Sequence, residues 1–231
     1  MDESSLHERL LESAVATVAE LGWRDAAVEP LCARAGTTPA AFYAEFATLD
    51  DLFVALYRRE ARDRVAAIDR SLRRLVSRRR RQAGAGAPVE PASAVAAVAD
   101  AVGAELSDRR WWLVSTEYML RAVRHPDVGG EYLRVRREVH EQVVDVVGRA
   151  VADLGLVLQV EVDRLVELGI VLHRGVVGQS LLDPVATSAT DLDRLVWEAL
   201  VVPAAAADGP RPTWAQRVGV EVANASTNAR S

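Results

Sequence analysis

Leu6, Leu10, Ala14, Val18 and Leu21 recur at spacings of three and four, which puts them on one stripe of a helix. Ser5 and Glu8 stand at capping-box spacing ahead of the stripe, and Gly22 supplies a stop. Trp23 is expected to pack back on the same small core. A second helix is expected over residues 28–35, where Pro30 is tolerated because it falls in the first turn; one turn later it would cost roughly 3 kcal/mol. Gly36 permits a sharp turn, Thr38 is a natural N-cap, and Pro39 suits the first position of a third helix over residues 39–45. That helix is too short to stand alone, so Phe42 and Phe46, four apart, must anchor it to the first two.

Thr48 and Asp51 form a further capping pair, and a long connecting helix is expected over residues 49–81. Its stripe of Leu52, Leu56, Arg59, Asp63, Ala66 and Arg70 is mixed, as for a helix passing from one domain into the next. Residues 83–90, Ala-Gly-Ala-Gly-Ala-Pro-Val-Glu, cannot hold a stable helix and are expected to form a flexible loop. Beyond them, helices are expected at about 91–105, 107–124, 127–154, 160–180 and 188–203. No strand pattern is of comparable strength, so the fold class is all-α. From Ala204 the chain is rich in Ala, Pro, Gly, Asn, Ser and Thr; Trp214, Val218, Val220 and Val222 could pack locally, and the last eight residues are expected to be disordered. The expected organisation is residues 1–48 as a small N-terminal domain, 49–205 as a helical body, and 206–231 as a flexible tail.

Composition narrows the function. Half of the 231 residues are hydrophobic, but no run of eighteen or more apolar residues is present, and the chain starts Met-Asp-Glu rather than with a basic then apolar segment. A soluble, cytoplasmic protein without membrane partners is expected. The single cysteine, Cys32, excludes an intramolecular disulfide and a cysteine-based metal cluster, and its neighbours Leu31 and Ala33 favour a small core residue over a redox switch. No metal-ligand spacing, glycine-rich phosphate loop or serine nucleophile elbow occurs, so neither a metal, a cofactor nor enzyme activity is expected.

The charge is uneven. All 28 basic residues are arginine. The first fifty residues hold three of them against nine acids, a net of −6, whereas residues 51–82 hold eleven against four, a net of +7. The second stretch would place positive field beside the small N-terminal domain, although Arg78 to Arg81 could equally be a solvated helix end complementing the helix dipole.

Helix, glycine turn and aromatic-anchored short helix over residues 27–46 have the shape of a helix-turn-helix, which presents its second helix to the DNA major groove. Residues 10–56 resemble the DNA-binding domain of the TetR family of transcriptional regulators, through Ala35-Gly36, Thr37-Thr38, Phe42-Tyr43, Phe46 and Leu52-Phe53. A weaker resemblance, through His125-Pro126-Asp127 and a final helix over 191–203, extends it to residues 6–205. The resemblance implies a three-helix DNA-binding domain joined by a long helix to a helical-bundle domain that binds an effector and dimerises. It further implies a homodimer on a near-palindromic operator with half-sites roughly 34–36 Å apart, most simply a repressor released by a small organic molecule. The chain departs from the family's pattern at Pro39, Ala44, Glu45 and Leu49, where basic residues or histidine are common. The alternative is therefore a dimeric binding module of the same fold with weak or lost DNA binding.

For DNA contact, Tyr43 is the first candidate: the matching family tyrosine donates to phosphate while its ring packs against helix one. Thr37, Thr38, Ala40 and Ala41 would lie at the exposed start of the reading helix, with free amides for phosphate and methyl groups for thymine. Glu45 could accept from cytosine N4 or simply be solvated. Arg24 and Arg34 are phosphate candidates or plain surface residues. For the effector, Trp112, Thr116 and Met119 share one face of a helix and Trp111, Ser115 and Tyr118 the adjacent one; either they border a cavity suited to a hydrophobic or aromatic ligand, or they fill a solid core. Glu117, His140 and His173 are the polar groups expected to give such a site its specificity; His173 lies in the apolar stretch 166–177 and needs a partner if buried. Leu165, Leu168, Leu172 and Val176, with Leu192 and Leu195, are the expected dimer surface.

Overall fold

The computed structural model describes residues 5–22, 28–84, 91–158, 160–183 and 201–202. Among them, three short helices, α1 (Leu6–Leu21), α2 (Val28–Ala35) and α3 (Pro39–Glu45), precede the long α4 (Leu49–Gly84). The body continues with α5 (Pro91–Leu106), α6 (Arg109–Arg124), α7 (Pro126–Asp153) and α8 (Val162–Leu182). Two-residue segments β1 (Val157–Leu158) and β2 (Val201–Val202) pair antiparallel, Val157 opposite Val202 and Leu158 opposite Val201.

The local signals act as read. Ser5 Oγ accepts from the Glu8 amide at 3.2 Å, and Thr38 Oγ1 accepts from the Ala41 amide at 3.2 Å, with Pro39 in the first turn. Gly36 takes φ +64°, a left-handed conformation that a side chain would strain. Thr48 and Asp51 cap α4 reciprocally, Asp51 Oδ2 accepting from the Thr48 amide at 3.0 Å and Thr48 Oγ1 from the Asp51 amide at 3.1 Å. Phe42 and Phe46 are buried with ring centroids 6.0 Å apart and anchor α3, while Ser13 Oγ donates to the Leu31 carbonyl at 2.8 Å and ties α1 to α2. Cys32 is buried in this core, and burial pushes its thiol pKa up.

One core joins the three short helices to the start of α4, to α6 and to the start of α7. It contains Leu10, Leu31, Phe42, Leu52, Phe53, Leu56, Tyr57, Val114, Tyr118 and Tyr132. A second lies deeper in the body, where Ile68, Leu72 and Leu75 of α4 meet Val98, Val143, Val147 and Val166. The buried face of α4 thus runs through Tyr57, Ala61, Val65, Ile68, Leu72 and Leu75. Below Leu56 the expected stripe of Arg59, Asp63, Ala66 and Arg70 lies two positions off the buried face: Asp63, Ala66 and Arg70 are exposed, and the core takes Ala61, Val65, Ile68 and Leu72, because α4 turns an adjacent face toward the body helices.

Further expectations are corrected. α4 runs to Gly84, past the start of the expected loop; residues 85–90 lie outside the described ones, as do Trp23, Arg24 and residues 203–231. Most of the expected 188–203 helix also lies outside, but Val201 and Val202, at its end, are extended and paired. α8 is long and apolar enough to cross a membrane by length and composition, although its continuous run is broken by charges. It packs Leu165, Val166, Val176 and Val177 inward, so its apolarity serves a bundle core along part of its face.

The contact between α6 and α8 is close. A Cβ on Gly178 of α8 would stand 2.8 Å from Cζ2 of Trp112 in α6, so only glycine admits the indole at that distance. Tyr118 is fully buried, and its hydroxyl has no hydrogen-bond partner among the described residues.

Gly178→Ala should cost about 1–3 kcal/mol through overpacking, measured by urea unfolding, and the cost should shrink in a Trp112→Phe background; an equal cost in both backgrounds would place the conflict elsewhere. Tyr118→Phe, which removes an unsatisfied buried hydroxyl normally costing about 1–3 kcal/mol, should leave Tm unchanged or raise it. A loss of stability beyond about 1 kcal/mol would reveal a partner for that hydroxyl.

Candidate functional site

The turn and α3 present a nearly continuous exposed strip. Thr38, Ala40, Tyr43, Ala44 and Glu45 are exposed, and Thr37 and Ala41 are half-buried. Tyr43 is 57% exposed and meets Phe42 edge-on, ring centroids 5.2 Å apart; its aromatic neighbour is therefore in its own helix rather than in α1. Thr38 is occupied as the cap, leaving the first amides of α3 at the surface end of the helix.

The charged candidates are engaged within the protein. Arg34 binds Glu20 of α1 through both terminal nitrogens, and this hydrogen bond holds the Glu20 carboxyl below its usual range. Glu45 lies 2.7 Å from Nδ1 of His7, whose ring also packs on Phe46 at 5.1 Å. Arg24 lies outside the described residues. Two acids of the first fifty residues pair with arginines from beyond them: Glu8 with Arg59 at 2.9 Å, and Asp50 with Arg121 of α6, whose Nη2 donates to Oδ2 at 2.6 Å.

The arginine-rich stretch is spread along α4, about 54 Å long at 1.5 Å per residue. Arg58 pairs with Glu131 of α7 at 2.7 Å, Arg79 donates to Ser93 of α5, and Arg80 pairs with Asp153 at the end of α7 at 2.7 Å. The expected positive field beside the reading helix is therefore directed largely along the body, because successive arginines on a straight helix travel away from its start.

Helices α4 to α8 enclose a cavity of about 1020 Å³. Its apolar wall includes Ile68, Val102, Trp111, Trp112, Met119 and Val143. Tyr57 stacks on Trp111 at 5.2 Å, and the guanidinium of Arg64 lies over the Trp111 ring, 4.9 Å from its centroid. Burial pulls the Arg64 pKa down, while Asp108 and Glu60 oppose that shift. Trp112 is fixed by its indole N–H, which donates to the Arg174 carbonyl at 3.0 Å, and Arg174 Nη2 donates to Thr116 Oγ1 at 3.3 Å. Burial pushes the Tyr57 hydroxyl well above the ordinary tyrosine range. At the rim, His140 Nε2 lies 2.8 Å from Asp163, and Arg164 pairs with Glu167 at 2.8 Å.

Of the effector candidates, Trp112, Met119, His140 and His173 line this cavity, with His173 buried and His140 partly so. Both Trp111 and Trp112 line it, so the two α6 faces do not divide into one inside and one flanking; the aromatic that turns wholly into the core is Tyr118. Thr116 and Glu117 are not in the wall. Thr116 holds Arg174 from behind, and Glu117 points toward the end of α1, its Oε1 3.5 Å from where a Cβ on Gly22 would sit. Sequence reasoning missed Tyr57, Arg64, Tyr132, Arg136 and Arg174; the spacing Tyr132, Arg136, His140 marks one face of α7 and was available as a signal.

The expected dimer surface divides. Leu165 and Val176 are buried within the subunit, since they fall on the α8 face that meets the bundle, whereas Leu168 and Leu172 are exposed together with Val171, Leu181 and Leu182. Leu192 and Leu195 lie outside the described residues.

No family model matches the sequence, and no curated protein is significantly similar to it. Solved structures do match. A protein assigned to the TetR family of transcriptional regulators, from Mesorhizobium loti MAFF303099, superposes with a TM-score of 0.63 at 14% identity, covering 86% of this chain and 94% of its own. The transcriptional regulator FadR from Bacillus subtilis, in complex with stearoyl-CoA, gives 0.61 at 13% identity over 84% and 97% of the two chains. A protein assigned as a transcriptional regulator from Saccharomonospora viridis, in complex with choline, gives 0.59 at 16% identity over 85% and 98%. With an exposed α3 on a three-helix head and an α4–α8 bundle around a cavity, the chain has the fold of the TetR-family transcriptional regulators.

Proposed function

We propose that the protein is a ligand-responsive transcriptional regulator of the TetR family: a cytoplasmic homodimer that represses by binding a near-palindromic operator and is released by a small organic effector. The observation that carries this reading is the position of α6. Trp111, Trp112, Ser115 and Met119 on this helix line the cavity, while Val114 and Tyr118 belong to the core that seats α1–α3, and Arg121 clamps Asp50 at the start of α4. A ligand that shifts α6 must therefore move or strain the seat of the reading helix. Two structural neighbours bound to organic molecules, stearoyl-CoA and choline, support an effector role for the cavity.

The head (residues 1–48) would contact DNA through Thr37, Thr38, Ala40, Ala41 and Tyr43, and the body (residues 49–205) would bind effector and partner subunit. Leu168, Val171 and Leu172 on α8 offer the exposed apolar surface for dimerisation. The second reading, a binding module that does not read DNA, is favoured by Glu45 on the reading helix and by the engagement of Arg34 with Glu20. Both make the DNA-facing strip poor in free cations.

Selection of genomic fragments at physiological salt separates the two readings. The regulator should recover a palindromic site whose affinity falls with salt at a slope near the number of phosphates contacted, and Tyr43→Phe should weaken specific and non-specific binding by similar factors. Absence of any enriched fragment and of salt-dependent binding would favour the second reading. Unchanged affinity in Tyr43→Phe would remove that tyrosine from the interface.

A further inference from the structure

The charge in the cavity wall is one-sided. Five arginines, Arg64, Arg136, Arg137, Arg164 and Arg174, face two carboxylates, Asp163 and Glu167. The two carboxylates are already taken by other wall residues, Glu167 by Arg164 at 2.8 Å and Asp163 by His140 at 2.8 Å. Arg64 is compensated from behind by Glu60 at 3.5 Å and Asp108 at 3.7 Å, yet its buried Nε has no hydrogen-bond partner. Arg136, Arg137 and Arg174 have no carboxylate within 4 Å among the described residues; the side-chain contact of Arg174 is the neutral Thr116 hydroxyl.

Arg136 and Arg137 are exposed and Arg174 half-buried where they border a space whose wall is largely apolar, through residues such as Ile68, Val102 and Val143. With no carboxylate beside them these groups leave donors to solvent, and a carboxylate or phosphate that enters the cavity gains charge-assisted, fork-shaped hydrogen bonds. Arg136 on α7 and Arg174 on α8 line the same cavity as Tyr57 of α4. A cationic ligand fits poorly: the wall already holds more guanidinium groups than carboxylates, and one of its aromatic rings, Trp111, has Arg64 over it at 4.9 Å.

We infer that the cavity takes an amphipathic organic anion, an apolar chain or ring system carrying a carboxylate or phosphate, with its charged end among Arg136, Arg137 and Arg174. This rests on the reading of the cavity as the effector site and adds the sign of the ligand's charge. The apolar body lies along the Trp112, Met119 and Ile68 wall. Trp112 and Arg174 act as one unit, because the indole N–H holds the backbone of the residue whose side chain would meet the anion.

The test titrates four probes of equal chain length, dodecanoate, dodecyl phosphate, dodecanol and dodecyltrimethylammonium, into the full-length protein by calorimetry. One or both anions should bind at least about tenfold tighter than dodecanol, and the cation most weakly, because guanidinium groups give charge-assisted hydrogen bonds only to the anions. The preference should collapse in Arg136→Met/Arg174→Met and persist in Arg164→Met, whose guanidinium is already paired with Glu167. Comparing probes on the unaltered protein keeps the inference exposed even where the double variant does not fold. Equal or tighter binding of dodecanol or of the cation would overturn the anion assignment while leaving an effector cavity standing. Persistence of the preference in a folded double variant would also overturn it. Binding of none of the four would overturn the effector reading together with the inference.

Discussion

The structure depends on an aromatic seam where α4, α6 and α7 meet. Tyr57, Trp111, Tyr118 and Tyr132 join there, with Tyr57 5.2 Å from Trp111, 5.3 Å from Tyr118 and 5.7 Å from Tyr132, and Phe53 5.5 Å from Tyr118. Each such pair contributes about 0.5–1.5 kcal/mol beyond burial. One side of the seam carries the three-helix head through Phe53 and Tyr118, and the other forms the cavity wall through Tyr57, Trp111 and Tyr132. Because packed aromatic cores have few alternative arrangements, a displacement at the wall is transmitted as a discrete shift rather than absorbed.

Electrostatics adds direction to this frame. The acidic character of the first fifty residues is partly structural: Glu8 and Asp50 engage Arg59 and Arg121, and Glu20 and Glu45 engage Arg34 and His7. Several of these pairs are exposed and contribute little individually to stability, but the Asp50–Arg121 clamp is less exposed and ties the start of α4 to α6. The same pairing leaves the reading strip dominated by threonine, alanine and tyrosine. On the proposed reading, DNA affinity would draw on helix-end amides and Tyr43 more than on lysine-like point charges. Inside the body the balance reverses, with guanidinium groups exceeding carboxylates around an apolar space.

Local chemistry made the head legible from sequence. Caps at Ser5, Thr38 and Thr48, the Gly36 turn and the Phe42–Phe46 anchor each act within a few residues, and the helix bounds of α1 to α3 follow from them. The cavity was legible only in part. Trp112, Met119 and His173 could be placed because tryptophan, methionine and histidine on apolar helix faces stand out, whereas Arg136, which is exposed, and Arg174 border one cavity only through the tertiary packing of α7 and α8. Glu117 and Thr116 share the α6 sequence pattern but lie behind the wall, and Leu165 and Val176 share the α8 pattern but face inward. Periodicity identifies that a helix has two faces; which neighbour each face meets is fixed by non-local contacts.

The central claim is that the cavity and the reading helix share one equilibrium through α6. It is tested most directly by a closed thermodynamic cycle: dodecanoate affinity measured with and without a saturating selected DNA fragment, and DNA affinity measured with and without saturating dodecanoate. The account predicts that each ligand weakens the other by the same factor, about 5–150-fold for coupling of ordinary size. A factor of one in both directions, with both ligands bound, would contradict it.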